Sequence, residues 1–169
     1  TRSGDLDPGL LLYLQCAEGL SPERLERLLN GESGLRGISG VSGDMRALLA
    51  EDAADARLAV EVYCYRARKY LGAYLAVLGG ADAILFGGGV GEHAAPVRAQ
   101  ILAGLEWAGI RLDAAANAAA NAGERRISAP DSRVEAWIIP VDEAAILAEE
   151  AINVLANGAT APQPERRMT

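Results

Sequence analysis

Apolar residues near the start of the chain recur at the three- and four-residue spacing that is typical of helices. Asp7-Pro8 and Ser21-Pro22 each place a capping side chain before a proline at the first helical position. We expect the first helix to continue through Cys16 and the second to stop at Gly31. Residues 31–43 are rich in glycine and serine, which predicts a loop.

The middle of the chain combines a short helix, a long helix and a strand. Asp44 is placed to cap a helix through Leu49. Residues 53–78 contain no proline and carry apolar side chains near helical spacing, which predicts one long helix that ends at Gly79-Gly80. The apolar residues 81–86 then predict a buried strand.

The second half of the chain repeats this alternation. We expect a helix from Pro96 through Trp107, either a helix or a flexible connector over residues 114–121, a second apolar strand over 134–140 and a closing helix over 142–155. Alternating elements favour an α/β sheet flanked by helices. Two strands make a narrower sheet than the roughly four to six strands that stable sheets commonly have. The chain is therefore expected to be part of a larger sheet, with the first strands missing.

The composition limits both the size of the domain and the class of partner. With 169 residues, half of them apolar, the chain can bury the core of one domain. A net charge of −7 argues against nucleic-acid and membrane-surface partners and favours a small ligand or another protein. The sequence contains neither a signal peptide nor a run long enough to span a membrane.

The cysteines and the chain ends add three expectations. Cys16 and Cys64 lie in apolar, helical surroundings without C-x-x-C spacing, which favours buried free thiols in a reducing cytoplasm. The chain begins at Thr1 without an initiator methionine, so we expect a processed or truncated polypeptide. Residues 158–169 carry almost no apolar side chains, and we expect them to be disordered.

The most specific local feature is the glycine cluster that follows the first predicted strand. Gly87–Gly91 contains four glycines in five positions, so backbone N–H groups can approach a ligand without a Cβ in the way. A helix that begins there adds unpaired N–H donors and partial positive charge, which suits phosphate or nucleotide. A turn with a purely structural role is the alternative.

Two known glycine motifs fit this cluster less well. Residues 89–94 satisfy G-x-G-x-x-A, but no convincing second strand ends in an acidic residue at the place where a dinucleotide fold needs one for the ribose. A P-loop needs Gly-Lys, whereas the only lysine, Lys69, lies upstream in the predicted long helix. His93, the only histidine, has no partners at metal-ligand spacing and no orienting group for general-base chemistry. We expect it at a helix start, in contact with nucleotide or solvent.

Five separated blocks of the sequence resemble the acetate kinases. In chain order they are Thr1-Arg2-Ser3-Gly4-Asp5-Leu6-Asp7-Pro8, Gly37-Ile38-Ser39-Gly40-Val41-Ser42-Gly43-Asp44-Met45-Arg46, Tyr65-Arg66 with Lys69-Tyr70, Phe86–Glu92, and Ile139-Pro140-Val141-Asp142-Glu143. Agreement of five blocks in order and content is more specific than one glycine loop. The resemblance covers about residues 1–155 and corresponds to the C-terminal portion of that family.

The resemblance implies a ribonuclease-H-like α/β domain of the acetate and sugar kinase, Hsc70 and actin superfamily. Residues 1–157 would be the C-terminal nucleotide-binding portion of a cytoplasmic homodimer that converts ATP and acetate to ADP and acetyl phosphate with Mg²⁺. The N-terminal domain, which supplies the acetate pocket and a catalytic aspartate in the family, has no counterpart in these residues. We therefore expect the chain alone to lack meaningful turnover. The alternatives are a propionate or other short-chain carboxylate kinase, and a non-catalytic dimerisation or nucleotide-binding module.

Carried over position by position, the resemblance also implies site residues. Arg2 matches an arginine that stabilises the transition state, and Glu143 matches a magnesium-associated glutamate. The segment that borders the adenosine is matched by Asp44, Met45 and Arg46. The second nucleotide-binding loop is matched by Gly89, Val90, Gly91, Glu92 and His93.

Elementary chemistry supports each role and also offers a simpler alternative. The planar guanidinium of Arg2 can bind two phosphoryl oxygens at once, or be solvated at a frayed terminus. Asp44 can accept from a ribose hydroxyl or cap a helix, and Arg46 can stack on a base or lie in solvent. Met45 offers adaptable apolar contact. Glu143 can hold Mg²⁺ directly or through water, or interact with a helix dipole from the first turn.

Overall fold

The fold combines a narrow mixed β-sheet with helices, and buried side chains of both belong to one hydrophobic core. The computed structural model describes residues 1–119 and 123–156. The backbone alone is described for Glu143, Ala144 and Ala156. The tail that is predicted to be disordered, 158–169, lies outside the described residues. The α/β class expected from the alternating elements is confirmed.

Capping side chains start the first two helices as the sequence predicts. Helix α1 spans Pro8–Cys16, and the Asp7 carboxylate accepts a hydrogen bond from a backbone N–H of its first turn at 2.7 Å. Helix α2 spans Pro22–Arg27, and Ser21 Oγ accepts from a first-turn N–H at 3.2 Å. Each cap satisfies a donor that a helix start leaves unpaired.

The segment after α2 differs from its prediction in two respects. Gly31 does not end the helical backbone, which continues as a π-helical turn over Leu28–Glu32. The predicted loop contains helix α3 at Gly34–Ser39. Leu35 packs against the buried core, so the tertiary contact outweighs the weak helix propensity of glycine and serine.

One long helix organises the helical side of the molecule. Helix α4 spans Met45–Ala50 and helix α5 spans Ala54–Leu78, both close to the predicted bounds, and α5 ends at Gly79 as expected. Helices α3 and α4 pack against α5. Neither α5, at 25 residues, nor any other described helix combines the length and the apolarity needed to cross a membrane.

The described residues form three strands, β1 at Ala83–Phe86, β2 at Arg125–Arg126 and β3 at Glu135–Ile138, in the order β1-β3-β2. Strands β1 and β3 are the two predicted strands, and they run parallel. Strand β2 pairs antiparallel with β3. The sequence does not predict β2, because two consecutive arginines show no apolar alternation.

Four further helices complete the described part, α6 at Gly88–His93, α7 at Ala95–Leu102, α8 at Ala114–Ala118 and α9 at Glu143–Ala156. Helix α7 ends before the predicted Trp107, which lies in a separate 3₁₀ turn. Helix α8 shows that the alanine-rich stretch begins as a helix. The Asp113 carboxylate caps this helix by accepting a hydrogen bond from Ala116 N–H at 2.9 Å.

Burial contradicts two expectations. Strand β1 is not buried along its length, because it lies at the edge of the three described strands: Phe86 is buried, but Leu85 is 64% exposed. Cys64 is buried as expected. Cys16 is exposed, because α1 buries none of its side chains.

Candidate active site

The carboxyl ends of β1 and β3 lie side by side. Phe86 pairs with Ile138 in parallel register, and Ile139 N–H donates to Phe86 O at 2.9 Å. The chain enters the glycine cluster directly after β1, and a loop over residues 139–142 leads from β3 to α9. Ligands of open α/β sheets bind outside the carboxyl ends of the strands. The glycine turn is therefore at the edge of the sheet where a ligand is expected.

The Glu92 carboxylate joins the glycine turn to the loop after β3. Its Oε1 accepts a hydrogen bond from Gly88 N–H and another from Val141 N–H, each at 2.9 Å. These two bonds occupy the Glu92 side chain within the protein. Glu92 thus contributes to the predicted nucleotide loop by fixing the shape of the loop.

Contacts or backbone conformation within the protein account for three of the four glycines in the turn. A Cβ at Gly87 would lie 2.8 Å from Val141 Cγ2, and a Cβ at Gly91 would lie 3.2 Å from the backbone of β1. Gly88 has a φ of 68°, which side-chain-bearing residues rarely adopt. A Cβ at Gly89 would meet no atom within 4 Å. Packing therefore does not explain Gly89, which leaves open space beside the turn.

Two predicted segments that are distant in sequence form the walls of one cleft of about 390 Å³. One wall consists of Asp44, Met45, Arg46 and Leu49. The other wall consists of Gly89, Val90, His93 and Ala94. Small-molecule pockets commonly enclose about 300–1,000 Å³. The structure thus brings the predicted adenosine segment against most of the predicted loop, while Gly91 and Glu92 lie outside the lining.

Asp44 caps α4 and also pairs with Arg46. Its Oδ1 accepts from Arg46 N–H at 2.9 Å and from Arg46 Nε at 3.2 Å, and its Oδ2 accepts from Arg46 Nη2 at 2.8 Å. The hydrogen bonds from the Arg46 side chain hold the pKa of Asp44 below its ordinary value. The Arg46 side chain is 89% exposed, whereas Met45 is buried in the core. The cleft therefore presents a charged rim over an apolar floor.

His93 lies at the end of α6, so the expected position at a helix start is wrong. Gly87 is the N-cap of this helix, which already begins within the glycine cluster at Gly88, and the histidine follows one turn later. The side chain is exposed and borders the cleft together with Val90.

Arg2 lies on a neighbouring cleft of about 720 Å³, formed by residues 1–4 with α3 and α5. Its exposed guanidinium makes no hydrogen bond or ion pair to the residues that the structure describes. Thr1 lines the same cleft as Arg2, and its Cγ2 lies 2.6 Å from the position of a Cβ at Gly43, the residue before Asp44. Arg2 is thus close in space to the predicted adenosine segment, although it does not line the same cleft.

Glu143 opens α9, directly after the loop that Glu92 holds. Its side chain lies outside the described part of the structure, so its role with magnesium stays a prediction. The neighbouring Asp142 caps α9, and its Oδ1 accepts from Ala145 N–H at 2.9 Å. The described side chains include no group of three or more His, Cys, Asp or Glu placed to hold a metal ion.

Arg98 supports the site and was not predicted from the sequence. Its side chain is 1% exposed, and its Nη1 donates to Gly91 O and Glu92 O at 2.9 Å each. Its Nε and Nη2 donate to the side-chain and backbone oxygens of Asn117 at 2.7 and 2.9 Å. Burial lowers the pKa of Arg98, and the carbonyls at the end of α6 offset part of the cost of burying the charge. Its signal in the sequence is a charged residue inside an apolar stripe.

Comparisons with known proteins agree with this geometry. The Acetokinase family model matches residues 1–149. An acetate kinase from Solibacter usitatus is 52% identical over 159 residues, which are 92% of this chain and 38% of that protein. An acetate kinase from Chloroherpeton thalassium is 46% identical over 155 residues, which are 89% of this chain and 37% of that protein.

Solved structures give the same result. The crystal structure of Porphyromonas gingivalis acetate kinase matches with a TM-score of 0.82 at 40% identity and covers 92% of this chain and 40% of that one. A propionate kinase from Francisella tularensis matches with a TM-score of 0.78 at 32% identity, over 89% of this chain and 38% of that one. The chain spans about two fifths of the length of the proteins it matches. The resemblance and the ribonuclease-H-like fold class are confirmed, and the chain belongs to the acetokinase family.

Proposed function

We propose that this chain is the nucleotide-binding portion of an acetate kinase, which transfers the γ-phosphoryl group of ATP reversibly to acetate. The observation that carries the proposal is the single cleft between the start of α4 and the glycine turn. Both walls of this cleft come from segments that the family resemblance assigns to nucleotide. The names of the relatives support acetate as the acceptor.

In the forward direction, an acetate oxygen forms a bond to the γ-phosphorus. The bond from the γ-phosphorus to the oxygen bridging it to the β-phosphate breaks, and ADP leaves with that electron pair. Negative charge spreads over the three equatorial oxygens during the transfer. The Arg2 guanidinium is exposed and planar, so it can donate to two of these oxygens at once. Arg2 is the catalytic residue of the proposal.

The nucleotide is proposed to lie along the cleft, with its adenosine near Asp44, Met45 and Arg46. Asp44 Oδ2 accepts one hydrogen bond in the structure and retains acceptor capacity for a ribose hydroxyl. The phosphates would accept from backbone N–H groups in the open space beside Gly89. Magnesium chemistry would enter with the nucleotide, with Glu143 as a carboxylate ligand, directly or through water.

The remaining parts of the proposal concern the rest of the protein. Residues 1–157 would form the C-terminal domain portion, joined to an N-terminal domain that binds acetate, in a cytoplasmic homodimer. The exposed apolar side chains of α9 support the proposal of a partner surface. They belong to Ile146, Leu147, Ile152, Val154 and Leu155. A second domain or a second copy would cover them.

A short-chain carboxylate other than acetate is the second candidate substrate. The similarity to the Francisella tularensis propionate kinase supports it, because the same fold serves that enzyme. A panel of acetate, propionate and butyrate, assayed with the complete protein, distinguishes the candidates by kcat/KM. A higher value for propionate than for acetate would overturn the acetate assignment.

Nucleotide binding can be tested with a pair of matched glycine variants. A Cβ at Gly89 or at Gly72 of α5 would meet no atom of the protein within 4 Å, so both alanine variants should fold. We expect Gly89→Ala to weaken Mg·ATP binding about tenfold by calorimetry, because the methyl group enters the cleft, while Gly72→Ala binds as the wild type does. Equal affinities, or no saturable binding at all, would contradict the assignment of the cleft.

Turnover tests whether the chain needs the proposed N-terminal domain. We expect the isolated chain to give no ADP above background in a coupled assay with ATP and acetate, because Arg2 alone cannot position the acceptor. Ordinary kinase rates from the isolated chain would contradict this expectation. Nucleotide binding without turnover in the complete protein would instead favour a non-catalytic module.

A further inference from the structure

The first residues of the chain are fixed by their backbone, while the Arg2 side chain stays exposed. Ser3 N–H donates to Leu29 O at 2.8 Å. A Cβ at Gly34 would lie 2.4 Å from Arg2 O, so α3 approaches this backbone as closely as a glycine permits. The peptide group that follows Arg2 is therefore held by Leu29 through its N–H and by the close approach of α3 at its oxygen.

Asp5 makes the side-chain contacts that hold this segment against α5. Its Oδ2 accepts from Arg66 Nη2 at 2.6 Å and also from the Tyr70 hydroxyl. Arg66 Nη2 donates to the Tyr70 hydroxyl at 3.1 Å, so the three side chains form a closed triangle. Arg66 and Tyr70 are one turn apart on α5, which presents them side by side. Gly4, with a φ of 74°, supplies the turn between Arg2 and Asp5.

Asp5 also determines where a second cation lies. Arg66 and Arg2 line the same cleft, so Arg66 is within the surroundings of the proposed catalytic residue. The hydrogen bonds from Tyr70 and Arg66 hold the pKa of Asp5 below its ordinary value, and the carboxylate is ionised at neutral pH. Asp5 thereby keeps the Arg66 guanidinium paired within the protein.

We propose that Asp5 is a positioning residue for phosphoryl transfer, which fixes the backbone that carries Arg2 through its contacts with Arg66 and Tyr70. The inference rests on the proposed function, because it assigns the catalytic role to Arg2. Side chains that orient a catalytic group matter because small errors in its position cost rate. Asp5 contacts no reacting atom in this scheme and acts through Arg2.

The first test compares two aspartates in the complete protein. Asp5→Asn removes the charge that holds Arg66. Asp52→Asn is the matched control, because Asp52 forms an exposed ion pair with Arg57 at 2.5 Å. We expect Asp5→Asn to lower kcat by about 10–100-fold, with the KM for ATP changed by less than about twofold, and Asp52→Asn to match the wild type. An unchanged kcat in Asp5→Asn, with an active wild type, would overturn the inference and leave the proposed function standing.

A double-mutant cycle separates positioning from general damage to the fold. If Asp5 acts through Arg2, then Asp5→Asn should lower kcat no further in the Arg2→Ala background. Multiplicative losses in the double variant would overturn the inference, because a merely structural role acts whether or not Arg2 is present. Tyr70→Phe removes one hydrogen-bond donor to Asp5 but keeps the aromatic ring. It replaces Asp5→Asn in both tests if Asp5→Asn does not fold. Its control is Tyr74→Phe, at an exposed tyrosine one turn further along α5.

Hydrogen exchange gives a readout that does not depend on activity. The Ser3 amide is bonded to Leu29 O, so it should be protected in the wild type and in Asp52→Asn. We expect its protection factor to fall at least about tenfold in Asp5→Asn. Unchanged protection would overturn the inference. A wild-type protein without kinase activity would overturn the proposed function, and exchange at Ser3 would still decide whether Asp5 fixes the segment.

Discussion

The Glu92 carboxylate and the backbone of Val141 are joined by a hydrogen bond of 2.9 Å, although they belong to different segments of the chain. The same carboxylate oxygen accepts from Gly88 N–H at 2.9 Å. One acceptor therefore fixes both loops that leave the carboxyl ends of β1 and β3. This side chain thus links the glycine turn to the loop after β3.

Replacement of Glu92 should loosen the turn and weaken nucleotide binding together. We expect Glu92→Ala to lower the free energy of unfolding by about 1–3 kcal/mol, because two N–H donors lose their partner. Glu92→Gln keeps an acceptor oxygen and should cost less. Urea unfolding and ATP titration measure the two effects. The control is Glu26→Ala, at an exposed position of α2, and an equal loss of stability in both alanine variants would contradict the proposed role of Glu92.

Gly91 and Gly89 should respond differently to the same substitution. A Cβ at Gly91 would lie 3.2 Å from the backbone of β1, whereas a Cβ at Gly89 meets nothing within 4 Å. We expect Gly91→Ala to destabilise the chain by about 1–3 kcal/mol through overpacking, and Gly89→Ala to leave stability unchanged or slightly higher. Thermal unfolding compares the two. A Gly91→Ala variant as stable as Gly89→Ala would show that the helix can move away from the strand at little cost.

Arg98 should be among the most sensitive positions of the described chain. Its guanidinium makes four hydrogen bonds from a buried position, and truncation leaves the oxygens of Gly91, Glu92 and Asn117 without these donors. We expect Arg98→Ala to cost about 3–5 kcal/mol in the free energy of unfolding, and Arg98→Lys to recover only part of it because an ammonium lacks the planar fork. The control is Arg133→Ala, which removes an exposed arginine that donates to one carbonyl. It should lower the free energy of unfolding, measured with urea, by less than about 1 kcal/mol.

The sequence predicts elements well where the signal is local. The caps at Asp7, Ser21 and Asp44 each lie next to the helix they start, and all three are confirmed. The glycine turn follows β1 as expected, because the apolar run and the glycines are adjacent in the chain. The family resemblance adds the prediction that the Asp44 segment and the Gly89 turn belong to one site. Neither segment indicates this alone.

What the sequence does not predict depends on contacts between distant segments. Leu85 is exposed because of its place at a sheet edge, and strand pairing rather than composition determines that place. Glu92 and Arg98 look like ordinary polar positions of helices until their partners in other segments are known. Asp5 has the same character, because its partners are 61 and 65 residues away along the chain. Supporting residues of a site are therefore harder to predict than the residues that match a motif.

The cluster of Asp5, Arg66 and Tyr70 should hold the first residues of the chain only between two limits of pH. The pKa of Asp5 lies below its ordinary value of 3.8, so the stabilisation is complete above that value and is lost as the pH falls through the lowered pKa. Hydrogen bonding to Asp5 raises the pKa of Tyr70 above 10.0, so this contribution is complete below pH 10 and is lost as the pH rises through the raised pKa.

The protection factor of the Ser3 amide measures this window. It should be constant between about pH 5 and pH 9 and should fall outside both limits. In Asp5→Asn the acid limb should disappear, because the titrating carboxyl is absent. An acid limb of the same size in Asp5→Asn would show that another group controls the segment.

Magnesium dependence tests the residue whose side chain the structure leaves undescribed. Glu143 follows the loop held by Glu92 and opens α9, so its backbone lies beside the carboxyl ends of the parallel strands. We expect Glu143→Gln to raise the Mg²⁺ concentration for half-maximal activity of the complete protein by about tenfold or more, because an amide is a weaker ligand than a carboxylate for a hard cation. The free energy of unfolding should change by less than about 0.5 kcal/mol, because the substitution removes a charge and keeps the size of the side chain. Glu149→Gln, at an exposed position of the same helix, is the control for the loss of one charge near the site. Identical Mg²⁺ curves for Glu143→Gln and Glu149→Gln would mean that the ion is held by the nucleotide and by other carboxylates, and that Glu143 only begins the helix.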